Sequence, residues 1–281
     1  MLSCSKNSGG GEELPQRELS EEFKEYWFTG KAEISSYELE QSRYGETRKG
    51  NAVLIFVTED FLKDEQVKAN EKTTNTIEVL KLNSTKNFIT GIYPYSIMQS
   101  SFYPLEGKSH ALKVAASIQE WCGQVYMQLN NRGKYEIVSH SYFAGETDED
   151  LSLHKVHLEN EIWNQLRIDP DLLPTGEIII IPSFEYIRLA HIEIKPHPAT
   201  AEFYQDGKLS VYRITYPELK RSLKIYFKPT FPYTIEKWTE ITNHDGNEYY
   251  TTANKLSTIK MDYWTKNSNK DLPLRDTLNL N

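Results

Sequence analysis

The hydrophobic pattern changes period early in the chain. "ELSEEFKEYW", Glu18 to Trp27, places Leu19, Phe23 and Tyr26 or Trp27 on one face of a short helix, after which apolar residues recur at every second position. "AEISSYELEQSRY" and "AVLIFVTEDF" flank the polar loop "GETRKGN", which predicts a hairpin from Ala32 to Phe61. Inside it Ala52 to Val57 is apolar at every position, as in a strand covered on both faces. After a polar stretch from Lys63 to Asn75, Ile77 to Leu82 and Phe88 to Phe102 predict two more strands, and "YPLEGKSH" a tight reversal. Leu112, Val114, Ala116 and Ile118 alternate, as do Val125, Met127 and Leu129, and "NNRGK" turns the chain into Tyr135 to Phe143.

The middle of the chain differs. Leu158, Ile162 and Leu166 in "LENEIWNQLRI" lie four apart and predict a short amphipathic helix, stopped by the prolines of "DPDLLP". Strands are expected to resume at "EIIIIPSFEYIRL" and to continue through "KLSVYRITY", "SLKIYFKP", "YTIEKWTEI" and "KLSTIKMDYW", with "PELKR" and "NHDGNEYY" as hairpin tips. "NKDLPLRDTLNL" reads as a closing brief helix. Short connections between successive strands predict an all-β, mainly antiparallel meander: an open or closed barrel, or half-barrel, with one or two short helices. Residues 1–17 read as a disordered tether and 18–281 as a single β domain, with a candidate subdivision near 170–176.

Composition supports the sheet: 18 Tyr, 11 Phe and 5 Trp accompany runs rich in Ile, Val and Thr. With 40 acidic against 32 basic residues the formal net charge is -8, and the densest basic cluster, Lys220, Arg221 and Lys224, sits in an alternating strand. A nucleic-acid partner is therefore not expected. No run of eighteen apolar residues predicts a spanning helix.

Chemistry is sparse. "EGKSH" ends like a phosphate-cradling loop, but the position five before Gly107 is Phe102 where the loop needs glycine. His154 and His157 in "HKVHLENE", near Glu159 and Glu161, would share a face on a helix and could hold a metal; on a strand they would diverge. His191 and His197 are further residues that could join them across a sheet. "GETDED", Glu146 to Asp150, lacks the spaced ligands and glycine of a calcium loop, and there is no Gly-x-Ser-x-Gly elbow. No catalytic residue and no cofactor is assigned.

The opening "MLSC" resembles the tail of the short apolar and small-residue box that precedes a lipid-modified cysteine, a fragment without the apolar region ahead of it, and makes Cys4 the candidate lipid attachment site. The run from Ser5 to Gln16 has the composition of a flexible tether. The alternative is an ordinary N-terminal tail carrying a chance cysteine. Cys122, flanked by apolar residues in "SIQEWCGQVYMQL", reads as a buried small hydrophobe.

"YWFTGKAEISSYELEQSRYGETRKGNAVLIFVTEDF" with "QVKAN", then "SIQEWCGQVYMQLN" and "IIPSFEYIRL", resembles an uncharacterised family of Gram-negative bacterial lipoproteins often labelled "septum formation inhibitor Maf". The resemblance runs from about Phe23 to Leu280. It implies export with Cys4 at the mature N-terminus, and an outer-membrane lipoprotein facing the periplasm. The Maf nucleotide pyrophosphatases behind that label have an α/β fold and a loop rich in serine and arginine. "EQSRYG" lacks the paired arginines, so no catalytic residue carries over.

The expectation is a non-enzymatic, membrane-tethered envelope protein that binds an apolar ligand, a lipid or an envelope component on a curved sheet. A scaffold subunit of an envelope complex and a metal-assisted hydrolase using His154 and His157 are the alternatives.

Overall fold

The computed structural model describes residues 14–280. Cys4, and residues 1–13 of the expected tether, lie outside the described residues. The end of that tether is docked. Arg17 is buried, donates to the Pro104 carbonyl (2.7 Å) and the Tyr103 hydroxyl (2.5 Å), and stacks 4.3 Å over the Tyr103 ring.

Helix α1 (Glu21–Trp27) is capped by the Ser20 hydroxyl and buries Phe23 and Trp27. The first nine strands are β1 (Ala32–Arg43), β2 (Glu46–Leu62), β3 (Val67–Lys68), β4 (Thr76–Thr90), β5 (Tyr93–Pro104), β6 (Lys113–Glu120), β7 (Gly123–Asn131), β8 (Tyr135–Ser141) and β9 (Glu149–Leu153). Next come β10 (His157–Leu158), helix α2 (Glu159–Ile168), β11 (Gly176–Ile181) and helix α3 (Phe184–Ala190). The chain finishes with β12 (His197–Asp206), β13 (Leu209–Tyr216), β14 (Arg221–Phe227), β15 (Ile235–His244), β16 (Asn247–Met261) and helix α4 (Leu274–Thr277).

These strands form one sheet in the order β10-β11-β12-β13-β14-β15-β16-β1-β2-β4-β5-β6-β7-β8-β9, with β3 attached to β2. It is the all-β, mainly antiparallel architecture that the period-two pattern predicts; β10 and β11 pair parallel. Strands from both sides of residues 170–176 share the sheet, and β16 closes back onto β1. The two ends of the path, β9 and β10, are joined by residues 154–156 rather than by a ladder.

Alternation along each strand sends one set of side chains inward to a continuous core. On β2, Ala52, Leu54 and Phe56 face that core, while Val53 and Val57 pack outside against Leu278 and Leu280 of the C-terminal segment. This explains the uninterrupted apolar run. The tight approach of β2 to β4 fixes Gly50, where an added Cβ would lie 2.1 Å from the Asn87 carbonyl oxygen.

Three expectations are corrected. Four α-helices occur among the described residues, not one or two. "EIIIIPSFEYIRL" is not strand throughout: Pro182 ends β11, and the Ser183 hydroxyl accepts from the Tyr186 N–H to cap α3. Cys122 is exposed, because the turn between β6 and β7 carries it out of the alternating register.

Candidate functional site: a charged cavity beside a buried helix

Helix α2 runs inside the barrel. The amphipathic helix read from Leu158, Ile162 and Leu166 is instead buried on every side, including Glu159, Asn160, Glu161, Asn164, Gln165 and Arg167. Polar groups in such a place need partners, and the strand walls supply them. Arg167 makes a two-pronged ion pair with Glu33 of β1 (2.7 and 2.8 Å) and donates from Nε to the Pro232 carbonyl (2.9 Å). Asn164 bridges the Ser101 hydroxyl (2.5 Å) and the Leu80 carbonyl (2.8 Å). Glu159 takes a two-pronged pair from Arg221 of β14 (2.5 and 2.8 Å) and a hydrogen bond from the Tyr216 hydroxyl (2.6 Å). Burial alone pushes these carboxyls up, but the guanidiniums beside them win: Arg167 holds Glu33, and Arg221 holds Glu159, below the ordinary carboxylate value.

Glu161 forms a third anchor. Its Oε1 meets His110 Nδ1 (2.7 Å) and the Leu158 N–H (3.2 Å), and its Oε2 accepts from the Ala111 N–H (2.6 Å). The carboxyl is again lowered: burial pushes it up, and the His110 ring outweighs it. His157 lies beside this pair, its ring centroid 5.5 Å from that of His110. His110, His157 and Glu161 are the one group among the described residues whose donor atoms are close enough to share a metal ion. The expected partner of His157 is thus corrected: His154 is exposed and outside this group, because it lies in the connection before β10. Both Glu161 oxygens already accept backbone donors, so the trio as it stands ties α2 to the β5–β6 connection. His191 and His197 are not brought to it: His191 caps α3 and pairs with Glu146, and His197 lies on β12 facing Glu218.

Helix α2 leaves part of the interior unfilled. Beside its first two turns is a cavity of about 340 Å³. Part of the lining is apolar: Leu82, Trp163, Leu223 and Trp238, with the two indoles edge-to-face at 5.4 Å. Polar groups adjoin it: Lys86, on the same face of β4 as Leu82 and 5.9 Å from the Trp238 ring centroid, pairs with Glu185 at 2.6 Å, and the Gln99 amide donates to the other Glu185 oxygen (3.0 Å). Here burial wins, and it raises the Glu185 carboxyl above its ordinary value despite Lys86. Arg221 lines the same space and also donates to Glu240 (2.5 Å). The cavity opens between the β1–β2 tip (Tyr44, Gly45) and the β15–β16 tip (His244), where Arg43 and Tyr249 also line it.

Around that end of the barrel the tips of β4–β5, β6–β7 and β8–β9 carry exposed Ile89, Ile92, Trp121 and Tyr142. The Tyr93 and Trp121 rings lie 6.5 Å apart, and Tyr142 covers Gly123. Of the groups that line the cavity, the sequence points to Glu159 as a neighbour of the candidate histidines, and it leaves Lys86, Gln99, Glu185 and Trp238 without a role. A signal was present: Lys86 shares the inward face of β4 with Leu80, Leu82 and Phe88, and Arg221 that of β14 with Leu223, Ile225 and Phe227. A charge in a core-facing register asks for a partner.

Fold and site together define a barrel-like β protein with an internal, partly charged cavity. No family model and no curated protein matches the chain. Among solved structures it is similar to a β-barrel-like protein of a domain of unknown function, DUF1849, from Brucella abortus. The match has a TM-score of 0.50 at 7% identity and covers 82% of this chain and 98% of that one. At that identity the likeness concerns the fold.

Proposed function

We propose that this chain is a non-enzymatic binding protein of the cell envelope, tethered to the outer membrane through lipid on Cys4, whose internal cavity takes a small amphipathic ligand. The observation that carries the binding role is the cavity, whose lining combines indole and leucine surface with Lys86, Gln99 and Glu185. Its volume falls in the range of about 300–1,000 Å³ usual for small-molecule sites. The charges revise the expected ligand from apolar to amphipathic. The binding role also draws support from pairing: Glu159 and Glu240 are held by Arg221 and Glu185 by Lys86, an arrangement suited to a fixed polar lining. The tether rests on the sequence around Cys4 and on the family resemblance.

The test is titration of the purified chain with N-phenyl-1-naphthylamine, a neutral dye that brightens in apolar surroundings. Saturable binding, abolished by Ser84→Trp, which fills the cavity from β4, is the expected result. Equal binding by both proteins would place the dye elsewhere and remove the cavity reading. For the tether, the intact mass of protein from a Gram-negative membrane fraction is expected to include acyl chains on Cys4; unmodified soluble protein would refute it.

A scaffold role is the second reading, favoured by the exposed apolar tips at Ile89, Ile92, Trp121 and Tyr142. A cross-linked envelope partner lost on Trp121→Ser, with no dye binding in the cavity, would favour it over the first.

A further inference from the structure

The cavity mouth holds a cation without a counterion. Arg43, the last residue of β1, lines the opening beside Tyr44. Its Nη1 donates to the Leu189 carbonyl (2.6 Å), and its Nη2 reaches the hydroxyls of Tyr44 (3.4 Å) and Tyr95 (3.3 Å). The guanidinium carbon sits 4.4 Å from the Tyr44 ring centroid and 5.4 Å from that of Tyr95. Its Nε–H is shielded from water and meets no acceptor. Among the described residues no carboxylate lies within ion-pair distance of Arg43. The lysine and the other arginine of the lining differ: Lys86 is matched by Glu185, and Arg221 by Glu159 and Glu240.

We propose that Arg43 is the head-group anchor of the cavity, and that the ligand is an amphiphile carrying one anionic oxygen group, a carboxylate, sulfonate or phosphate, with its apolar body against Trp163 and Trp238. This deepens the binding role proposed above and rests on it. A half-buried guanidinium whose terminal nitrogens carry four N–H groups, with one short acceptor at Leu189 and two long ones at Tyr44 and Tyr95, offers the charge-assisted hydrogen bond that an oxyanion accepts. The two tyrosine rings hold its plane at the opening, so the anion is met before the apolar body reaches the indoles. Interior cations cannot compete for it, being already tied to carboxylates. A carboxylate in the ligand would instead be repelled by Glu185 or Glu240 if it entered first, which sets the orientation: head at the mouth, body inward.

The experiment is displacement of N-phenyl-1-naphthylamine from the full chain by dodecanoate, 1-dodecanol and acetate, on wild type, Arg43→Gln and Arg43→Lys, with circular dichroism confirming each fold. Dodecanoate is expected to displace the dye at roughly tenfold lower concentration than dodecanol from wild type, the scale of one charge-assisted contact. The ratio should collapse to about one in Arg43→Gln, largely persist in Arg43→Lys, and acetate should displace nothing. Equal potency of acid and alcohol on wild type, or an acid preference unchanged in Arg43→Gln, overturns the anchor while the cavity reading stands. Acetate as potent as dodecanoate overturns the amphiphile. Dye that Ser84→Trp does not exclude overturns the cavity reading itself, and the anchor with it.

Discussion

Replacing Glu33 by glutamine keeps the shape of the side chain but leaves the Arg167 guanidinium charged in a place without water. Both partners are 1% exposed. Two of the five guanidinium N–H groups lose a charged acceptor, and the Tyr26 hydroxyl, 2.5 Å from Glu33, loses one as well. What remains for Arg167 is the Pro232 carbonyl and the faces of Trp27 and Phe56, at 5.0 and 4.7 Å. Removing one member of a buried pair costs roughly 3–5 kcal/mol, whereas removing both in favour of apolar residues is often close to neutral. Glu33→Gln is accordingly expected to destabilise by about 3 kcal/mol, since the amide oxygen still accepts one N–H and cation–π contact retains about 1 kcal/mol. The double variant Glu33→Met/Arg167→Met should cost less than either Glu33→Met or Arg167→Met alone. Urea unfolding followed by tryptophan fluorescence gives all corners of the cycle, with the slope checked for constancy. Dye affinity of the cavity should not change, because neither residue lines it. Single-variant losses below about 1 kcal/mol, or a double variant whose cost equals the sum of the singles, would refute the view of α2 as a helix held by paired charges.

Three other outcomes are expected. Glu33, Glu159 and Glu161 are held below the ordinary value of 4.5 and Glu185 above it. The first three add stability above that value that is lost as pH falls through their folded values; the Glu185 contribution is full below 4.5 and lost as pH rises through its raised value. Urea midpoints should therefore fall steeply in acid, and Glu185→Gln should lose the wild-type gain seen on moving from neutral pH towards 5; a flat acid limb would contradict the anchors. Cys122 should be alkylated by iodoacetamide in the native protein, slowly because the hydrogen bond to Glu120 raises its thiol, and faster in Glu120→Gln; peptide mapping that finds label only after unfolding would refute its exposure. Gly50→Ala should cost about 2 kcal/mol or more in thermal unfolding, since its Cβ would press on the β4 backbone at Asn87; a neutral substitution would show that β2 and β4 are not in this register.

Most of the sheet was legible because a strand declares itself over its own few residues: Val125, Met127 and Leu129 alternate with Tyr126 and Gln128 whatever the rest of the chain does. The interior was not, because its contacts are between residues far apart. Arg167 and Glu33 are separated by 134 positions, Arg221 and Glu159 by 62, His110 and Glu161 by 51. Nothing local couples them, and the polar face of α2 looks like the solvent face of a surface helix until a barrel surrounds it. His157 drew attention from its spacing to His154, yet its neighbour in space is His110, which had been passed over in a turn. The α3 helix was missed for a different reason. "IIIIPSFEYIRL" has the β-branched composition of a strand for its first half, and the break at Pro182 followed by Ser183 was the local sign of a cap.

The cavity follows from a mismatch of dimensions. Eight-stranded barrels are about the size at which side chains fill the interior, and this sheet has twice that number of strands, so something besides side chains must occupy the middle. Helix α2 has 10 residues, about 15 Å, inside walls such as β1 whose 12 residues run about 40 Å. Its anchors also fix where it sits: Arg167 is tied to Glu33 near the start of β1, and Glu159 to Arg221 at the start of β14. The space left over falls at both ends of the helix: about 300 Å³ beside Gln165, Tyr103 and Pro174, and the cavity at the Tyr44 end, floored by Glu159, Asn160 and Trp163 and roofed in part by Tyr186 and Leu189 of α3. Such a void, walled by ion pairs that must stay paired, cannot collapse around a smaller occupant, because moving α2 inward would pull Glu159 from Arg221. The same charges that fasten the helix keep the cavity open.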